Sequence, residues 1–87
     1  MAPLAARRTA DMIALGRRIA AIELAVAAQA AELRGTDPLG RGTAAAIRTI
    51  RQVIPFLAPG AFVPDVEPLA DRIAAGDFDP RALLDTR

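Results

Sequence analysis

Met12, Leu15, Ile19, Ile22, Val26, Gln29 and Leu33 follow one another at alternating steps of three and four residues. That spacing is the a/d register of a coiled coil, held for about three heptads with Gln29 as its one polar member. It predicts a long first helix, opened by Pro3 at its first position or capped later by Thr9, and stopped by Gly35 with Asp37–Pro38 just beyond. Beside the seam, Ala14, Ala21 and Ala28 recur every seven residues, and between Ile19 and Ala31 only Glu23 and Gln29 are polar. A helix that is apolar nearly all round is normally enclosed by neighbours.

The stretch from Gly35 to Gly42 has loop chemistry throughout, and Thr43 is placed to cap a second helix. Ile47, Ile50, Ile54 and Leu57 form its inner stripe, Arg48, Arg51 and Gln52 turn away from that stripe, and Pro55 should end or kink the helix near Ile54. Pro59–Gly60 reads as a turn. A third helix then follows, capped by Asp65, with Pro68 in its first turn, Val66, Leu69 and Ile73 inside and Gly76 at its end. Asp79–Pro80 opens a last short helix anchored by Leu83 and Leu84. No run alternates with period two. The expected fold is therefore all-α: an antiparallel helical hairpin of a long helix and a shorter one, then two short C-terminal helices. Residues 1–63 form the hairpin, and residues 64–87 an acidic helical tail that joins the same domain or serves as a docking segment.

With 87 residues the chain makes one small domain. The second helix reaches only part of the way along the first, which leaves an apolar face larger than a monomer normally exposes. Self-association through Met12, Leu15, Ile19, Ile22, Val26, Gln29 and Leu33 is the simplest remedy. In that arrangement Gln29 would set the register, and Arg18 at g would meet Glu23 at e of a parallel partner.

Ser, Asn, Lys, His, Cys, Tyr and Trp are all absent. Within this chain that removes Ser, Cys and Lys nucleophiles, His bases and ligands, disulfides and thiolate zinc sites. The acids gather late in the chain, but Asp65 and Asp79 are explained as caps, and Asp77-Phe-Asp79 lacks the Gly and the later Glu of a calcium loop. The expectation is a chain that is not an enzyme, without cofactor or metal. Absence of Cys and of any secretory or membrane-spanning segment gives a cytoplasmic, soluble expectation.

Formal charge is +1, but it is unevenly spread. Residues 1–63 hold eight Arg against four acids, and residues 64–87 three Arg against six. Arg41, Arg48 and Arg51 are candidates for contact with phosphates or an acidic partner. Phe78, Leu83 and Leu84, set in an acidic frame, are candidate anchors of a docking tail, the alternative being that they fold back on the hairpin. The architecture resembles small assembly subunits such as viral DNA-packaging adaptors of the small-terminase kind, although no motif carries the resemblance. The expected function is a non-catalytic oligomerising adaptor or small subunit, a homo-oligomer with a larger protein partner. The alternative is a sequence-tolerant DNA-binding oligomer.

Overall fold

The computed structural model describes residues 2–35, 37 and 39–84. The expected stop signal at Pro38 and the last acid of the tail, Asp85, lie outside the described residues. Four helices follow in order: α1 (Ala2–Arg34), α2 (Arg41–Arg51), α3 (Glu67–Ala74) and α4 (Pro80–Leu84). Among the described residues there is no strand. The fold is all-α, with a long first helix and shorter ones after it.

The helix ends follow local chemistry, with two corrections. Thr9 does not cap α1. Its Oγ1 donates to the Ala5 carbonyl at 3.0 Å from inside the helix, and Pro3 sits in the opening turn. At the other end Gly35 takes a φ of 106°, a left-handed value that an L side chain resists. Thr43 does not cap α2 either. Gly40 stands at the N-cap in an extended conformation and its carbonyl already accepts from the Ala44 N–H at 2.9 Å, so the helix begins two residues ahead of Thr43. α2 ends at Arg51, and the Ile54 N–H reaches the Ile50 carbonyl at 2.8 Å just before Pro55 removes the next donor.

Asp65 works one residue out of position, its Oδ1 accepting from the Glu67 N–H at 3.0 Å while Val66 holds the N-cap. α3 closes with a Schellman arrangement: the Gly76 N–H bonds the Ile73 carbonyl at 3.1 Å and the Asp77 N–H the Arg72 carbonyl at 3.1 Å. Asp79 and Pro80 open α4 as the sequence predicts, Asp79 Oδ1 accepting from the Arg81 N–H at 2.8 Å.

The core is small. Ala21, Ala28, Ile50, Ile54, Leu69 and Ala70 are buried together, and Leu24, Ala25, Ile47, Val53, Val66, Ile73 and Phe78 pack around them. Ile54 and Leu69 are the largest fully buried side chains. α3 takes the larger share of the packing on α1, whereas α2 meets α1 mainly at its C-terminal turn, and α4 lies against α2. At 100° per residue, the Ala14–Ala21–Ala28 stripe and the a/d seam are centred roughly 130° apart round α1. The Ala stripe faces the core, and the seam faces out.

The proportions confirm that much surface remains uncovered. A radius of gyration of 15.1 Å compares with about 12 Å for a compact chain of this length. The accessible surface of 6429 Å² exceeds the roughly 4,900 Å² of a compact monomer of this mass by roughly 1,500 Å². Much of α1 before Ala14 stands clear of the other helices, with residues 3–13 all exposed.

Two substitutions test this division. Leu69→Ala should lower unfolding stability in urea by about 2–5 kcal/mol, because it empties a fully buried site. Ile13→Ala, on the exposed side of α1, should change it by less than about 0.5 kcal/mol. Equal losses at the two positions would show that the core is misplaced.

Candidate functional site

Two features of the surface stand out, and they adjoin each other. One is an open groove of about 480 Å³ between the C-terminal half of α1 and the connector that leads from α2 to α3. Ile22, Val26 and Leu33 form one wall, Leu57, Val63 and Pro64 the other, and Ile54 and Val66 line it deeper. The second is the seam, which runs out of the groove along α1 towards its N-terminus.

The groove exists because the connector is tied to α1 by one polar side chain. Gln29 Nε2 donates to the Leu57 carbonyl at 3.0 Å, and the Leu57 N–H donates to Gln29 Oε1 at 3.1 Å. A side-chain amide thus satisfies both backbone groups of one residue, much as a neighbouring strand would. Arg51 completes the clamp. Its Nε donates to Glu32 Oε1, one terminal nitrogen donates to the Ile54 carbonyl at 3.1 Å, and the other donates to Gln29 Oε1 at 3.4 Å. The guanidinium lies 5.6 Å from the centroid of the Phe56 ring. So Gln29, expected to set the register of an oligomer, holds a loop of its own chain. Arg51, expected to turn away, faces inward.

The other candidates separate. Arg48 is exposed on the outer side of α2, and Arg41 bonds the Leu84 carbonyl at 3.4 Å. The phosphate-contact trio is therefore not one patch, since Arg51 is committed to the clamp. Phe78 packs against the core, Leu83 is half-buried, and a Cβ at Gly42 would lie 3.7 Å from Leu84 Cδ2, so the tail lies back on α2.

Met12, Leu15, Ile19, Ile22, Val26 and Leu33 are each 50–71% exposed, so the apolar members of the seam are largely uncovered, whereas Gln29 is half-buried. Gly16 lies beside it, at e. Glycine inside a helix costs about 1 kcal/mol relative to Ala. No close approach within the chain accounts for that cost here, because nothing beyond its own stretch of helix lies within 4 Å of where its Cβ would stand.

Several carboxylates are already engaged. Glu32 is paired with Arg51, Glu67 with Arg18 at 2.8 Å and Asp77 with Arg72 at 3.3 Å, while Asp65 and Asp79 accept from the Glu67 and Arg81 N–H groups. Among the described residues no three His, Cys, Asp or Glu gather as a metal site, and no helix is long and apolar enough to cross a membrane.

Residues 1–52, spanning α1, α2 and the loop between them, match the family model of the aromatic amino acid lyases. The chain belongs to the aromatic amino acid lyase family. It is also 41% identical over 79 residues to the histidine ammonia-lyase of Symbiobacterium thermophilum, an alignment covering 90% of this chain and 16% of that enzyme. The chain thus spans about a sixth of the length of the curated relative it matches. No solved structure matches it.

These matches overturn the non-catalytic adaptor, the DNA-binding alternative and the expectation of no enzyme. The error has a clear cause: residue types absent from a chain that covers 16% of its curated relative exclude nothing about groups that relative carries elsewhere. Sequence reasoning also missed Gln29 and Glu32 as clamp residues. The signal available for Gln29 was that it stands on a largely apolar stretch of helix opposite a proline-broken connector whose backbone groups lack a helical partner; Glu32 meets Arg51 of α2 instead.

Gln29→Ala should therefore leave both backbone groups of Leu57 without their partner, at a cost of about 1–3 kcal/mol. Amide exchange at Leu57 should accelerate, while that at Leu69 should accelerate only as far as global stability falls. An unchanged Leu57 rate would remove the clamp from the account.

Proposed function

We propose that this chain is a helical segment of an aromatic amino acid lyase acting on histidine, releasing ammonia from it. The observation that supports this reading is the 41% identity over 79 residues to a histidine ammonia-lyase, which takes in nine-tenths of the chain. Removing ammonia from an α-amino acid requires a base for the Cβ proton and a means of making the amine leave. The segment holds no His, Lys, Tyr or Ser, and five of its ten carboxylates are paired with Arg or accept from backbone N–H groups. Its contribution is therefore to position: a long rigid helix, a clamped connector and an apolar groove on which other parts of the lyase are held in place. Freedom from cysteine supports a cytoplasmic setting.

Grafting tests the reading. The matching stretch of the Symbiobacterium enzyme is replaced by this chain, and ammonia release from histidine is measured. The expected chimera folds, gives a single assembly and releases ammonia from histidine at a rate within about tenfold of the parent, a span of about 1.4 kcal/mol in activation energy. A folded chimera that assembles like the parent yet acts on phenylalanine instead, or on no amino acid, would overturn the histidine reading.

A further inference from the structure

We infer that residues 55–65 form a strap closed by one latch, and that releasing the latch opens the groove down to Ile54 while the helices stay folded. The inference stands apart from the lyase reading, because every group it uses belongs to this chain. The strap is anchored at both ends, by Ile54, which is 2% exposed, and by Val66, which packs on the core. Between them nine of the eleven residues are exposed, and only Leu57 and Pro64 are half-buried. Among the described residues, the strap's backbone makes one hydrogen bond to itself, from the Ala61 N–H to the Ala58 carbonyl at 3.0 Å. Its backbone bonds to α1 are the two at Leu57, both with Gln29. The Arg51 guanidinium beside the Phe56 ring adds a contact one residue away, and Arg51 is itself bonded to Gln29 and Glu32.

Two features make release an opening rather than a melting. The latch side chains stand on α1 and α2, so parting them from the strap breaks no helical hydrogen bond. Pro55, Pro59 and Pro64 fix their own φ and restrict the residue before each, so a freed strap keeps its form. Gly60, at a φ of 83°, makes the turn in its middle. A stiff strap held at two ends and released between them turns about those ends as a unit. Leu57, Val63 and Pro64, one wall of the groove, move with it and uncover Ile54 and Val66 behind them. The latched groove is thus the narrow state of a wider apolar cavity. A unit so lightly tied opens at a free energy well below that of global unfolding.

The chain contains no cysteine, so an introduced thiol reads a single position. Ile54→Cys reports on the strap, and Leu69→Cys, equally buried but on α3, reports on global unfolding. Below the urea transition, a thiol reagent should label Ile54→Cys at least about tenfold faster than Leu69→Cys. The Ile54→Cys rate should hardly depend on urea, because a local opening exposes little surface. Adding Gln29→Met, which removes the amide but keeps an unbranched side chain, should raise that rate by about a further tenfold while helicity by circular dichroism is kept. Labelling of both thiols at one rate, with one urea dependence, would show that no strap moves on its own. An Ile54→Cys rate indifferent to Gln29→Met would show that Gln29 is not the latch. Should a thiol variant fail to fold, amide exchange in the unaltered chain takes its place. Leu57 should then exchange with almost no urea dependence, and a dependence equal to that of Leu69 would overturn the inference.

Discussion

The close approach that Ala21 and Ala28 allow on the inner side of α1 is the contact on which the other contacts depend. Both are buried, and neither projects beyond a methyl group, so Leu69 and Ile54 can settle directly against the helix. A larger side chain at either position would push α3 and the end of α2 outward, since packed interiors absorb added volume poorly. The ion pairs and the clamp follow from that proximity. Arg18 reaches Glu67 because α3 lies close, and Gln29 reaches the Leu57 backbone because Ile54 is seated beside Ala28. The surface pair adds only a few tenths of a kcal/mol, so the polar contacts fix orientation while the small-residue contact provides the closeness.

One helix therefore carries two apolar faces with different fates. Small side chains line the face that closes on the chain's own core, and large ones line the face left open. A self-sufficient domain would do the reverse, because burying large side chains contributes most of the hydrophobic stabilisation. This inversion suits a piece of a larger enzyme, in which the thicker packing layer lies between this segment and its surroundings. On the proposed reading, a chain without the usual catalytic residue types contributes shape and spacing to the enzyme.

Much of this was legible in the pattern. Three-and-four spacing marked α1 and the inner side of α2, Gly35 and Gly76 marked helix ends, and Asp79–Pro80 marked the start of α4. Each of these signals acts within a turn or two of chain. What could not be read locally was which of α1's two apolar faces would turn inward. Leu and Ile side chains outweigh Ala in any hydrophobicity count, yet the inward face was chosen by how near α3 could come. The capping of α2 went wrong for a similar reason: Gly40 in an extended conformation set the first helical bond before Thr43 could. The misjudged roles of Gln29 and Arg51 arose because their partners, Leu57 and Glu32, are 28 and 19 residues away. The functional class lay beyond any single site, since it resides in likeness along the whole segment.

The uncovered first third of α1 has a thermodynamic consequence. Helical hydrogen bonds in an isolated stretch of a dozen residues are only marginally favourable in water. The same helix, past Ala14, is braced by α3 and the clamp. Opening free energies along α1 must therefore climb from near zero at its start to the global value around Ala21 and Ala28. A single rod of 33 residues thus contains a melted-to-solid gradient. Its ellipticity would fade over a broad temperature range even where the core unfolds sharply, and two-state fits to helicity alone would understate how cooperative that core is.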